Sequence, residues 1–156
     1  KETEEDLKKL SDDIFMYYGL GCRSVSKIYL PKDYDLDILF KQVYSWKDII
    51  NNSSYYNNYT YNKTIYLMSE EKFFDNGFLI LKESTEIGSP IGAVFFEYYV
   101  NNNKVIKSLK KYSEKIQCIV GKNIVENSVE FGNTQRPSLD DFADKINTLD
   151  FLLKLS

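Results

Sequence analysis

The segment from Ile91 to Tyr99 constrains the fold most, because it is almost unbroken in apolar residues over the length of a β-strand. A strand with apolar side chains on both faces must be covered on both faces, as in a parallel sheet flanked by helices. Ile116 to Val120 is a second buried run, and Ser26 to Leu30 has the composition of a strand that Pro31 ends. These runs predict interior strands and place the chain in the α/β class.

Between these strands, apolar residues recur at three- and four-residue spacing, which predicts amphipathic helices. The predicted helices cover Glu4 to Tyr18, Tyr34 to Ile50, Asn58 to Met68, Asn101 to Ser113 and a last one starting over Pro137 to Ala143. Asp75-Asn76-Gly77 predicts a tight turn into a strand at 78–82, and 129–131 a further short strand. Alternating strands and helices favour a largely parallel sheet flanked by helices. With no internal repeat and no linker, we expect residues 1–156 to form one domain.

Histidine is absent from the 156 residues, and this absence excludes several kinds of site within the chain. Neither a Ser-His-Asp or Cys-His protease site nor a His-based metal centre can be assembled. Two cysteines cannot make a tetrathiolate zinc site, so we expect no metal. Cys118 lies in the apolar run 116–120 and is expected in the core. We expect both thiols to be reduced and the protein to be cytoplasmic.

The formal net charge of −3 provides no basic field for nucleic acid or for an anionic membrane surface. The sequence also lacks an apolar span of about 18 residues and a signal peptide. We therefore expect neither nucleic acid nor a membrane as a partner.

Cys22 is the candidate for chemistry, since it follows Gly19-Leu20-Gly21 at the junction between a predicted helix and a predicted strand. The glycines let the backbone turn sharply and leave room beside the sulfur for a substrate. Backbone N–H groups directed at the sulfur would favour the thiolate, which is the nucleophilic form. Cys22 is thus a candidate covalent nucleophile. The alternative is a small structural residue in a glycine-rich turn.

Three separated motifs, read in order, resemble the catalytic domain of the aldehyde dehydrogenase superfamily. The first motif is Gly19-Leu20-Gly21-Cys22 with Ser26-Lys27 and Tyr34-Asp35 after it, the second is Glu86-Ile87-Gly88-Ser89-Pro90, and the third is Phe131-Gly132-Asn133. Within the superfamily the chain is most similar to bacterial acyl-CoA reductases, including the long-chain fatty acyl reductases of luminescence systems. The resemblance implies an aldehyde-dehydrogenase-like α/β fold.

The resemblance also implies an activity, the reduction of an acyl-CoA thioester to an aldehyde by NADPH or NADH. Cys22 would attack the thioester carbonyl and expel coenzyme A, and the acyl-enzyme would then accept a hydride. The Cys22 backbone N–H would be one donor to the oxyanion, and a second would come from a part of the enzyme upstream of Lys1. An acyltransferase or an acyl-protein synthetase is implied as a possible partner, and the oligomeric state stays open.

The superfamily binds its dinucleotide on a separate domain, and this sequence contains no G-x-G-x-x-G. The resemblance therefore implies that residues 1–156 are the C-terminal catalytic cysteine domain of a larger enzyme. Glu86 would contact the nicotinamide ribose, or else be a solvent-facing loop glutamate. Arg23 would face coenzyme A phosphates or pair with a carboxylate, and we favour the pairing. The rival function is a non-catalytic module that docks a partner through its tyrosine-rich surface, with Cys22 inert.

Overall fold

The computed structural model describes residues 2–122, 125, 128–139, 141–142 and 146–155. The helices are α1 (Glu4–Phe15), α2 (Leu36–Val43), α3 (Ser53–Met68), α4 (Asn102–Lys111) and α5 (Thr148–Leu153). The strands are β1 (Lys27–Pro31), β2 (Phe74–Asp75), β3 (Ile80–Glu83) and β4 (Ala93–Tyr99). Tight helical turns follow α1 at Met16–Gly19 and α2 at Tyr44–Asn51.

The four strands form one open, mostly parallel sheet in the order β1-β4-β3-β2. β4 runs parallel to β1 on one side, with Lys27 opposite Phe95, and parallel to β3 on the other, with Ile80 opposite Ala93. β2 pairs with β3 in the antiparallel sense through the turn at Asp75-Asn76-Gly77. The expected α/β fold with a largely parallel sheet flanked by helices is therefore confirmed, and so is the tight turn that leads into a strand.

Polar side chains begin the helices at the positions where an N-cap is needed. Thr3 and Asp6 form a reciprocal capping box at the start of α1. Asp35 accepts a hydrogen bond from the backbone N–H of Asp37 and so begins α2. Asn52 caps α3, which therefore begins before the predicted start at Asn58. These caps fix where each helix enters the packed layer.

The core lies between the sheet and the helices and is centred on β3 and β4. The fully buried large side chains are Phe15, Leu39, Val43, Leu79, Ile80, Leu81, Val94 and Phe96. Burial of an aliphatic or aromatic side chain of this kind contributes about 1.5–3 kcal/mol each. On the α4 side of the sheet, the hydroxyl groups of Tyr29 and Ser108 share a hydrogen bond of 2.8 Å. The apolar run at 91–99 is the central strand, as its composition predicts.

Four predictions in the C-terminal third are wrong. The segment 116–120 is not a strand, because only an isolated bridge joins Val120 to Val129, and that bridge is also all that forms at 129–131. Cys118 is half-buried rather than part of the core. The described residues among 137–143 are not helical, and 140 and 143 lie outside the described part. The apolar residues of 116–120 are only half-buried, and a short apolar run by itself provides no partner strand.

Candidate functional site

The backbone before Cys22 is strained. α1 ends at Phe15, earlier than the predicted Tyr18, and the next turn holds Tyr17 at φ 55° and Tyr18 at φ 60°, followed by Gly19 at φ 72°. The left-handed conformation costs a residue with a side chain about 1–2 kcal/mol. Such strain commonly accompanies functional sites. Here it reverses the chain so that the segment after Gly19 returns towards β1.

Cys22 lies at the tip of a tight turn. The Ser24 N–H donates to the Gly21 carbonyl at 2.9 Å, which closes the turn with Cys22 and Arg23 at its centre. The Cys22 side chain is exposed to solvent. Within the described part of the chain, the N–H groups of Cys22 and Arg23 have no acceptor. The turn therefore presents a free thiol together with unused backbone donors.

The exposed thiol lies at a cavity of about 200 Å³ between the turn, α3 and the sheet. The cavity walls combine apolar residues with small hydroxyl residues, and no acidic or basic side chain lines them among the described residues. The lining residues are Ile14, Phe15, Gly19, Gly21, Cys22, Ser24, Val25, Ser26, Tyr55, Leu79, Ser89, Pro90, Ile91, Gly92, Ala93 and Val94. The described walls are uncharged, and they offer no carboxylate to activate water.

The loop between β3 and β4 contributes the opposite wall. The Ser26 hydroxyl donates to the Ile87 carbonyl at 3.4 Å, and Ser89 and Pro90 line the cavity. The structure thus brings the second sequence motif next to the first. Glu86 lies on the same loop with an exposed side chain, and it is not among the residues that line the cavity.

The third motif reaches the site through Asp13, a buried residue of α1. Its carboxylate accepts hydrogen bonds from the Gly132 N–H at 2.7 Å, the Thr134 N–H at 3.0 Å and the Thr134 hydroxyl at 2.9 Å. Its backbone carbonyl accepts from the Val25 N–H at 3.0 Å. Burial raises the pKa of Asp13 above its ordinary value, although these donors oppose the shift. Asp13 therefore ties the third motif to the end of the Cys22 loop.

Gln135 extends from this tied segment onto the Cys22 turn. Its amide packs so closely against Gly21 that a Cβ on Gly21 would lie 2.8 Å from Oε1 and 2.9 Å from Nε2. Its Nε2 donates to the Ser24 hydroxyl oxygen at 3.3 Å. A side chain at Gly21 would therefore displace the Gln135 amide from the turn. Both ends of the turn contact the same amide.

Arg23 pairs with a carboxylate. Its guanidinium contacts Asp141 at 2.5 Å and donates to the Cys118 sulfur at 3.6 Å. Burial opposes the charged form, yet Asp141 and Cys118 hold the pKa of Arg23 above its ordinary value. The pairing that the sequence analysis favours for Arg23 is therefore the one observed.

The part of the chain that the structure describes contains neither a metal-binding cluster nor a membrane-spanning helix. No group of three or more histidine, cysteine or carboxylate side chains is placed to hold a metal ion. No described helix is both long and apolar enough to cross a membrane.

Sequence reasoning missed Asp13 and gave Gln135 no role. Asp13 follows Leu10 by three residues, which places it at the edge of the apolar face of α1 and was a readable sign of burial. Gln135 gave no comparable sign, because its contacts to Gly21 and Ser24 join residues more than a hundred positions apart. Only the tertiary structure places it at the thiol.

Comparison with known proteins does not assign the chain to a family. No protein-family model matches the sequence, and no curated protein is significantly similar to it.

Proposed function

We propose that this domain carries the acyl-accepting thiol of an NAD(P)H-dependent acyl-CoA reductase with an aldehyde-dehydrogenase-like fold. One observation carries the proposal: an exposed thiol lies at a cavity of about 200 Å³ whose described walls hold no charged side chain. Such a wall accepts an acyl group and leaves the thioester formed on Cys22 without an ionised base to hydrolyse it.

The first half-reaction follows from the residues of this chain. The Cys22 sulfur attacks the thioester carbonyl carbon, the bond from that carbon to the coenzyme A sulfur breaks, and coenzyme A leaves as a thiol with the proton that Cys22 gives up. The negative charge that develops on the carbonyl oxygen needs hydrogen-bond donors. The free N–H groups of Cys22 and Arg23 are available within the turn.

The second half-reaction needs a hydride from a reduced nicotinamide dinucleotide. The described residues do not fit such a cofactor by themselves, because the sequence lacks a G-x-G-x-x-G loop and Glu86 is an isolated exposed carboxylate. The residues of this chain therefore account for acyl transfer to Cys22 only.

The test measures acylation of the purified chain. Octanoyl-CoA and palmitoyl-CoA are incubated with the parent, with Cys22→Ser and with the matched control Cys118→Ser, and the adduct is read by intact mass and peptide mapping. We expect a hydroxylamine-sensitive adduct at Cys22 in the parent and in Cys118→Ser, and none in Cys22→Ser. A serine hydroxyl without a neighbouring base is a far poorer nucleophile than a thiolate.

A folded parent that gives no adduct with either thioester would contradict the proposal and favour the interaction module instead. An adduct that forms equally on Cys118 would also contradict it, because the cavity would then confer no selectivity.

A further inference from the structure

The Ser24 hydroxyl shares the cavity with Cys22 and is held by a neighbour. Ser24 follows Cys22 by two residues, at the end of the turn that carries the thiol, and both residues line the cavity. The Ser24 oxygen accepts the Gln135 Nε2–H at 3.3 Å. No acceptor for the Ser24 hydroxyl proton is present among the residues that the structure describes.

An oxygen that accepts a hydrogen bond on one side keeps its own proton for another partner. The other hydroxyl groups of the cavity are differently engaged, because Ser26 donates to the Ile87 carbonyl and Ser89 donates to the Ala93 carbonyl at 2.7 Å. The Tyr55 hydroxyl donates to the Phe78 carbonyl at 2.9 Å. Ser24 is thus the hydroxyl group of the described cavity wall that retains a proton for a bound molecule.

We infer that Ser24 is a catalytic residue whose hydroxyl donates a hydrogen bond to the oxyanion formed when Cys22 is acylated, and that Gln135 is the positioning residue that orients this hydroxyl. The inference rests on the proposed function and adds a side-chain donor from within this chain to the backbone N–H groups of Cys22 and Arg23. Serine hydroxyl groups serve as oxyanion donors alongside backbone N–H groups in other enzymes.

Gln135 can orient the Ser24 hydroxyl because its own segment is held in place. The segment that carries it is tied to α1 by three hydrogen bonds to the Asp13 carboxylate, and Asp13 also holds Val25 beyond Ser24. The amide is therefore fixed relative to both ends of the Cys22 loop. A donor that is already oriented needs no reorganisation during the reaction.

The experiment compares two reactions of the same thiol in the purified chain. Acylation by octanoyl-CoA passes through an oxyanion, whereas alkylation by iodoacetamide displaces iodide directly and forms none. Removal of one oxyanion donor typically costs about 10²–10³ in rate. We expect Ser24→Ala to slow acylation of Cys22 by about a hundredfold and to leave its alkylation rate and the pH profile of alkylation unchanged.

The variant set separates the roles of the two residues. Ser24→Thr retains a hydroxyl group and should restore most of the acylation rate. Gln135→Met retains the side-chain length but not the amide, and we expect it to slow acylation by about tenfold with no further loss on combination with Ser24→Ala. Asn57→Ala, on the exposed face of α3, is the matched control and should behave as the parent.

Urea unfolding of every variant identifies loss of structure. Equal acylation rates in the parent and in Ser24→Ala would overturn the inference, and so would a parallel loss of acylation and alkylation in folded Ser24→Ala. A parent that is alkylated but never acylated would refute the proposed function itself, so the two failures are distinguishable.

Discussion

Gly92 offers the sharpest test of how the cavity is built. It begins the approach to β4, lines the cavity and adopts φ 82°, a left-handed conformation. A Cβ placed there would lie 2.8 Å from the Tyr59 Cα and 2.9 Å from the Tyr59 Cβ. Because the main chain of α3 cannot swing aside as a side-chain tip can, Gly92→Ala must push α3 away from the sheet.

Two costs add at this position. The left-handed conformation costs alanine about 1–2 kcal/mol. Overpacking against a fixed backbone costs about 1–3 kcal/mol. The sum is about 2–5 kcal/mol, against a total of about 5–15 kcal/mol for a domain of ordinary stability. At about 2–4 °C per kcal/mol for a chain of this size, Tm should fall by about 4–20 °C.

Two other glycines separate these costs. Gly77 adopts φ 94° with nothing within 4 Å of the added Cβ, so Gly77→Ala should lose only the conformational part. Gly88 has an ordinary φ and nothing within 4 Å of an added Cβ. Gly88→Ala should therefore leave the free energy of unfolding unchanged or raise it by about 0.4–1 kcal/mol, because alanine restricts the unfolded chain. In urea unfolding, the loss of free energy of unfolding should increase from Gly88→Ala to Gly77→Ala to Gly92→Ala. A Gly92→Ala midpoint equal to that of Gly77→Ala would refute the close contact with α3.

Further predictions concern pH and cofactor. Burial alone would raise the pKa of Asp75, but hydrogen bonds from Lys63 and Tyr59 lower it below its ordinary value. The contribution of Asp75 to the free energy of unfolding should therefore be lost as pH falls through that lowered pKa. Asp75→Asn should flatten this acid limb in urea titrations, and an unchanged limb would contradict the assignment. For Asp13 the pH dependence of stability has the opposite sign, because its pKa is raised. The free energy of unfolding should fall as pH rises from about 3.8 through that raised pKa, and Asp13→Asn should remove this slope. Finally, the chain with acyl-CoA and NADPH should produce no aldehyde, and acyl-CoA-dependent NADPH oxidation followed by absorbance would show that the cofactor site has been misplaced.

Local patterns determined much of the architecture. The apolar run at 91–99 predicted a buried strand, and Asp75-Asn76-Gly77 predicted the tight turn that leads into β3. These features depend on backbone preferences and side-chain periodicity within a few residues, which a sequence displays directly. The presentation of Cys22 on a glycine-rich turn was readable for the same reason.

Tertiary structure alone decided the surroundings of the thiol. The strand predicted at 116–120 does not form, because a short apolar run specifies no pairing partner. The roles of Asp13, Ser24 and Gln135 depend on the Gly132–Gln135 segment folding back onto α1, a contact between distant parts of the chain. Hydrogen bonds of this kind depend on the direction of two backbones at once, and no local spacing in a single sequence encodes that direction.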